Sequence, residues 1–304
     1  MEKIIEVKNL KKSYGEVKAV RGISFYVETG KLFAFLGPNG AGKSTTIDIL
    51  CTLLPADEGE VTICGSALGS GNGDIRNSIG VVFQHSVLDA LLTVRENLLY
   101  RAGFYYKTGR EASHAVRNAA AVTDIMGFID RPYGKLSGGQ KRRADIARAL
   151  VSTPKILFLD EPTTGLDPQT RKNVWNLIQT LKQEKGMTVF LTTHYMEEAA
   201  GSDYVVVIDE GQIAAKGTPA ELKTQYAQDL LRFFTRDEEA LRAALGKAGH
   251  EFYTDGGHVS VRLPSTMSAL PILSECREYI SGFEVIQGTM DDAFLQITGK
   301  EIRE

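Results

Sequence analysis

The sequence predicts an α/β fold built on a doubly wound, largely parallel sheet, followed by a small α+β domain. Three observations carry that prediction. The wholly apolar run Leu32-Phe33-Ala34-Phe35-Leu36 leads straight into a glycine-rich loop and then a helix. A strand without polar alternation is one buried on both faces. From Ser137 onward, helix and strand signals alternate, as in βαβ units. Beyond residue 228 the order becomes strand, helix, strand, strand, helix, strand: the split-βαβ, ferredoxin-like order.

The elements follow in turn. Residues 3–7 and 23–27 read as strands, and Glu28-Thr29-Gly30-Lys31 as a tight turn. In 43–54, Ile47, Leu50, Cys51 and Leu54 have helical spacing. A mainly helical stretch over 93–126 has no phosphate-type loop of its own and reads as part of an inserted helical subdomain at about 88–150. Next come a helix from Ser137, a strand at 156–160, a helix from Pro168, and strands at 188–191 and 204–209. Gly217-Thr218-Pro219 opens a short connecting helix over 220–226. The tail reads as strand 230–234, helix 237–246, strands 251–254 and 259–263, helix 267–279 and strand 283–287. Leu241, Ala244, Leu245 and Ala248 give its first helix one apolar face. The expected domains are 1–220, with the helical subdomain inside it, and 221–304.

A chain of 304 residues suits one large and one small domain. With 43% hydrophobic and 24% charged residues it has the composition of a soluble globular protein. A net charge of −3 gives no bulk attraction to nucleic acid, and no nucleic-acid partner is expected. Cys51, Cys64 and Cys276 form no CxxC pair and no zinc spacing, and read as reduced cysteines of a cytosolic protein. The N-terminus has no apolar run of signal-peptide type. No stretch approaches the roughly 20 apolar residues of a membrane-spanning helix. Any work at a membrane would need a separate anchor.

Two motifs carry chemistry. Gly37-Pro38-Asn39-Gly40-Ala41-Gly42-Lys43-Ser44 fits G-x-x-x-x-G-K-[ST], with Thr45 next in the helix. Its glycines let backbone N–H groups curl around phosphates, and the helix that follows adds the positive end of its dipole. Lys43 supplies a point charge and Ser44 a hydroxyl for Mg²⁺. The second motif, Ile156-Leu157-Phe158-Leu159-Asp160-Glu161, is an apolar strand ending in two acids. Buried carboxylates need a partner. Asp160 is placed to hold Mg²⁺ or its water shell, and Glu161 to accept a proton from an attacking water.

Between them, Leu136-Ser137-Gly138-Gly139-Gln140 precedes a helix carrying Lys141, Arg142 and Arg143. A serine cap, two glycines and a helix N-terminus make a second anion site. This run resembles the signature motif of ABC ATPases. Other motifs of that family stand in order around it. Tyr14 resembles the aromatic residue that stacks on adenine, and Gln84 the Q-loop glutamine that contacts Mg²⁺. Pro162-Thr163-Thr164-Gly165-Leu166-Asp167 resembles the D-loop, and His194 the switch histidine. The resemblance implies a P-loop NTPase with ABC-type β and helical subdomains, hydrolysing ATP with Mg²⁺. It also implies a head-to-tail homodimer, in which Ser137 and Gly139 of one copy close over ATP bound to the other. The runs 162–171 and 290–299 resemble the daunorubicin-resistance type, which works in export of drugs and other small molecules with an ABC-2-type transmembrane subunit. That places the chain peripherally on the cytoplasmic face of the membrane. The competing readings are an importer ATPase, a non-hydrolysing regulatory module, and a soluble ABC protein acting on DNA or ribosomes. The intact Glu161 and His194 speak against the regulatory module. The soluble proteins carry coiled coils, zinc cysteines or two cassettes, none of which occurs here.

Overall fold

The computed structural model describes residues 2–255 and 257–299. Its contacts divide the chain into Met1–Lys216 and Gly217–Glu304.

The first unit holds two sheets. One has the strand order β2-β1-β4-β5, from β1 (Lys3–Tyr14), β2 (Val17–Glu28), β4 (Glu58–Ile63) and β5 (Ser66–Ala67). The other has six strands in the order β10-β9-β3-β8-β7-β6. They are β3 (Leu32–Leu36), β6 (Ile79–Val82), β7 (Ile156–Asp160), β8 (Thr188–Thr193), β9 (Tyr204–Asp209) and β10 (Gln212–Gly217). β9, β3, β8, β7 and β6 run parallel. Side-chain alternation divides the residues of this sheet between two cores. Phe33, Phe35, Phe158 and Phe190 pack with the apolar residues of β1 and β2. Phe190 is their centre, with ring centroids 5.1 Å from Phe33 and 5.3 Å from Phe158. Burying such a ring is worth about 1.5–3 kcal/mol. Leu157, Leu159, Val189 and Leu191 join the other core, with residues of the helices α3 (Val94–Ala102), α4 (Gly109–Val122), α5 (Gly138–Leu150) and α6 (Pro168–Lys185).

The helix starts are written locally. Thr93, Thr108 and Ser137 each close a capping box at the head of α3, α4 and α5. Asp167 caps α6, Pro168 takes its first position, and Gly186 ends it in the left-handed conformation. The remaining helices of this unit are α1 (Lys43–Leu50), α2 (Asn72–Ser78) and α7 (Met196–Ala200).

Some expectations change. β1 and β2 run for 12 residues each instead of the short strands at 3–7 and 23–27. Register shifts within the pair break the alternation that marks a strand in sequence. α1 ends at Leu50, because Thr52 turns into positive φ; Leu54 still packs on the core from beyond the helix.

The second unit starts at Gly217, not after residue 220. The helix α8 (Pro219–Tyr226) packs on α11 (Met290–Thr298), so a boundary after 220 would cut an element of this unit. Between them run β11 (Asp229–Phe234), α9 (Glu238–Lys247), β12 (Phe252–Asp255), β13 (His258–Leu263), α10 (Ala269–Cys276) and β14 (Gly282–Ile286). The four strands pair antiparallel in the order β12-β13-β11-β14. Leu231, Phe233, Leu241, Leu245, Val259 and Ile272 form their own core. Of the expected apolar face of α9, Leu241 and Leu245 are buried, while Ala248 lies exposed in the cap after the last turn.

Candidate active site

Four parallel strands end at one place, the carboxyl edge of the sheet where ligands bind in open α/β folds. β3 leads to the Gly37 loop, β6 to Gln84, β7 to Asp160 and Glu161, and β8 to His194. Register keeps these ends level: Leu36 pairs with Thr193 and Asp160 with Thr192.

The Gly37 loop needs its glycines for steric reasons. A Cβ on Gly37 would lie 2.3 Å from the Ile208 carbonyl oxygen, and one on Gly42 would lie 2.4 Å from that of Ala19. Gly42 also has φ +102° and caps α1 without any side-chain acceptor. The first turn of α1 therefore presents N–H groups and the positive end of its dipole to an anion. Lys43 is buried, and its Nζ donates to the carbonyl oxygens of Gly37 (2.8 Å) and Pro38 (3.1 Å). It stands 3.4 Å from Glu161 Oε1. Burial draws its pKa down, opposed by the Glu161 and Asp160 carboxylates. Ser44 is exposed and Thr45 half-buried in the same turn.

Glu161 is where the predicted residues meet. Its Oε1 lies 3.4 Å from both Lys43 Nζ and His194 Nδ1, the latter approach lacking hydrogen-bond geometry. Its Oε2 accepts from Gln84 Nε2 (3.4 Å) and Thr164 Oγ1 (3.1 Å). The His194 imidazole, and then the Lys43 ammonium, hold its carboxyl down at about 2 against the opposing effect of burial. Asp160 shows the reverse. Burial, and then the neighbouring Glu161, raise its pKa, and Thr192 Oγ1 donates to its Oδ1 at 2.6 Å. Thr164, within the D-loop-like run, and Thr192 both belong to this site, but Thr192 carries no sequence signal for it. The role of Thr192 depends on which strand lies beside β7, which local sequence does not encode.

The donors fit a hard cation. Ser44 hydroxyl, Gln84 amide oxygen and one Asp160 carboxylate are oxygen ligands of the type Mg²⁺ accepts alongside phosphates and water. Among the described residues no group of three or more His, Cys, Asp or Glu is placed to hold a metal without such help.

Three predicted elements lie outside the Glu161 cluster. The Tyr14 ring is about half exposed near the end of β1, with Lys12 Nζ 5.8 Å from its centroid. Asp167 Oδ1 accepts from Thr170 N at 3.0 Å as the α6 cap. Ser137 and Gly138 are exposed, while Gly139 has an intrachain reason to be glycine: its Cβ would lie 2.4 Å from Thr170 Cγ2.

Residues 20–164 match the ABC transporter family. The chain is 38% identical to the daunorubicin/doxorubicin resistance ATP-binding protein DrrA of Streptomyces peucetius, over 97% of this chain and 92% of that one. It is 36% identical to the Nod factor export ATP-binding protein I of Burkholderia orbicola, over 99% and 98%. With the linearmycin resistance ATP-binding protein LnrL of Bacillus subtilis it shares 34%, over 99% and 100%. Among solved structures, cbiO1 from Clostridium perfringens superposes with a TM-score of 0.69 at 30% identity, covering 82% of this chain and 97% of that one. A dimeric post-hydrolysis state of the cassette MJ0796, bound to ADP and Pi, gives 0.64 at 30%, over 70% and 98%. Similarity of this extent places the chain in the ABC transporter ATP-binding family, as an ATP-hydrolysing cassette of the P-loop NTPase fold.

Proposed function

We propose that this chain is the ATP-binding and ATP-hydrolysing subunit of an exporter for drugs or other small molecules, driving a separate ABC-2-type membrane subunit. The observation that carries the reading is the meeting of Lys43, Gln84 and His194 on the Glu161 carboxylate. Whole-length similarity to resistance and export ATP-binding proteins supports the direction of transport. Among the described residues no helix is long and apolar enough to cross a membrane, which fits a peripheral place on the cytoplasmic face, held by the membrane subunit.

In this reading Gly37 to Thr45 cradle the ATP phosphates and Tyr14 stacks on the adenine. Ser44, Gln84 and Asp160 would hold Mg²⁺, which would supply positive charge to offset that of the phosphates. Nucleotide phosphates draw Lys43 away from Glu161. That removes the Lys43 charge that helps hold its pKa low, and the carboxylate gains the basicity to polarise an attacking water. His194 turns to the γ-phosphate. Ser137, Gly138, Gly139 and Gln140 of a second copy close the site, with Asp167 at the same interface. ATP thereby shifts the population from open to closed pairs.

Glu161→Gln tests this. It keeps the shape of the side chain and loses its basicity. Turnover should fall about 10²–10⁴-fold while ATP binding persists. A species of doubled mass should accumulate on size exclusion with Mg-ATP. Wild-type turnover with no such species would remove Glu161 from the mechanism.

A further inference from the structure

Arg142 has no part in the roles above, yet its guanidinium is buried between two of the loops that perform them. From α5, its Nη1 donates to the Phe83 carbonyl at 2.7 Å. Its Nη2 lies 3.3 Å from the carbonyls of both Gln84 and Glu161. One planar fork thus joins the loop after β6 to the loop after β7. Asp145, three residues on, offsets its charge and accepts from Ser86 Oγ at 2.5 Å and Tyr133 Oη at 3.3 Å. The helix that begins at Ser137 therefore grips the Gln84 loop at residues 83, 84 and 86.

Glu161 has a backbone that needs such a grip. Its φ is +43°, a region that a non-glycine residue keeps only where its surroundings fix it. On one side its N–H donates to Thr192, at 3.2 Å to the carbonyl and 3.0 Å to Oγ1. On the other, its carbonyl accepts from Arg142 Nη2 at 3.3 Å and from the Thr164 N–H at 3.4 Å, of which only the Arg142 bond comes from outside its own loop. Without that bond the peptide after Glu161 is freer to turn, and the carboxylate loses its aim.

We propose that Arg142 is a positioning residue for hydrolysis: it locks the Glu161 peptide and the Gln84 loop into one register, set by the helix that carries Ser137. The proposal rests on Glu161 being the group that polarises water. It adds a path by which engagement of Ser137 by nucleotide on a second copy reaches the carboxylate of its own chain.

The test uses the full chain with Mg-ATP. Arg142→Met should lower kcat by about 10²-fold, the scale of a misplaced catalytic group, with KM and the affinity for a fluorescent ATP analogue kept within about threefold. Arg142→Lys retains the buried cation without the fork, and should lose less. The deciding readout is the double variant. In a Glu161→Gln background, Arg142→Met should lower the residual rate no further, because the group it aims is already disabled. Wild-type kcat in Arg142→Met would overturn the proposal, as would the same fold-loss in the Glu161→Gln background or a loss of ATP affinity equal to that of rate. If Arg142→Met fails to fold by circular dichroism, Arg142→Lys carries the same cycle, and a wild-type rate there is equally fatal. Wild-type turnover in Glu161→Gln alone would sink the Glu161 assignment and this one together. A normal Glu161→Gln defect with any other adverse result sinks Arg142 alone.

Discussion

Helices α1 and α5 both begin at glycine-rich turns that suit an anion, and the chain satisfies their first turns in different ways. At α1 the cap is Gly42, which has no side chain to accept from the first-turn amides, and the buried Lys43 waits beside them. At α5 the cap is complete: Ser137 Oγ accepts from Gln140 N at 3.4 Å, and Gln140 Oε1 from Ser137 N at 3.2 Å. The first helix start is an unfinished structure that a phosphate completes. The second is already capped within the chain, and in the proposed dimer it would meet phosphate held on another copy, which exchanges with part of the cap. In that proposal the chain binds nucleotide alone and needs a pair to turn it over.

The largest expected effect breaks the α1 side. Lys43→Ala removes the buried cation of the loop, and turnover should drop about 10³-fold or more, with weakened ATP binding. Lys141→Ala, the matched change on α5, should leave binding of a fluorescent ATP analogue to the monomer within about threefold of wild type. Equal losses in both variants would mean that the two helix starts serve one and the same nucleotide site within a chain.

A second pair of variants separates the glycines. Gly139→Ala drives a methyl into Thr170 Cγ2, and overpacking of this kind costs about 1–3 kcal/mol. Thermal stability should fall while the monomer still binds ATP. Gly42→Ala meets the Ala19 carbonyl from a strained φ, and should lose ATP binding along with stability. Calorimetry and nucleotide titration on both variants decide the matter; intact ATP binding in Gly42→Ala would contradict the steric reading of the cradle.

Legibility follows the same division between local and long-range. β3, β7 and β9 could be read to the residue, because each is an apolar run closed by a turn or a glycine. The start of α6 was legible from Asp167 and Pro168, whose cap and first-position preferences are local. The positions of Lys43, Asp160 and Glu161 along the chain were legible from motif chemistry, those of Gln84 and His194 only from the family resemblance. Their convergence on one carboxylate follows from strand order, which spacing does not contain. For the same reason Thr192 and the Arg142 fork stayed hidden: each acts on a loop contributed by a different strand. The helix Met290–Thr298 was not read from the sequence, where 290–299 served only as a family resemblance, though Thr289 and Asp292 form a capping box at its head.

The third expectation concerns charge. Glu161 is held at about 2 in the folded chain, against 4.5 for an ordinary glutamate. A depressed carboxyl adds stability that is complete above the unfolded value and is lost as pH falls through the folded one. The carboxylate is buried, and its desolvation works against the stabilising cation and hydrogen bonds. In nucleotide-free protein, the advantage in Tm of wild type over Glu161→Gln should shrink between about pH 5 and about pH 3. A difference that stays constant across that range would mean that His194 and Lys43 do not stabilise the carboxylate.

The smallest expected effect bears most directly on the α5 cap. Ser137→Ala deletes one half of an exposed capping box, a change typically worth about 0.5–2 kcal/mol and nearer the lower figure at an exposed site. Thr93→Ala does the same at α3, where Thr93 Oγ1 accepts from Glu96 N at 3.2 Å. The two variants should lose similar, small amounts of Tm, since each removes one acceptor from one helix start. They should part in turnover. Thr93 caps a helix with no proposed contact to nucleotide, so its loss leaves specific activity near wild type at every protein concentration. Ser137 is the cap that must also meet phosphate on a second copy. Its loss should weaken the rise of specific activity with protein concentration, while ATP binding to dilute monomer is unchanged. If both variants give the wild-type concentration curve, Ser137 is a helix cap and nothing more, and the pairing of α5 with nucleotide on another chain must rest on the glycine backbone alone.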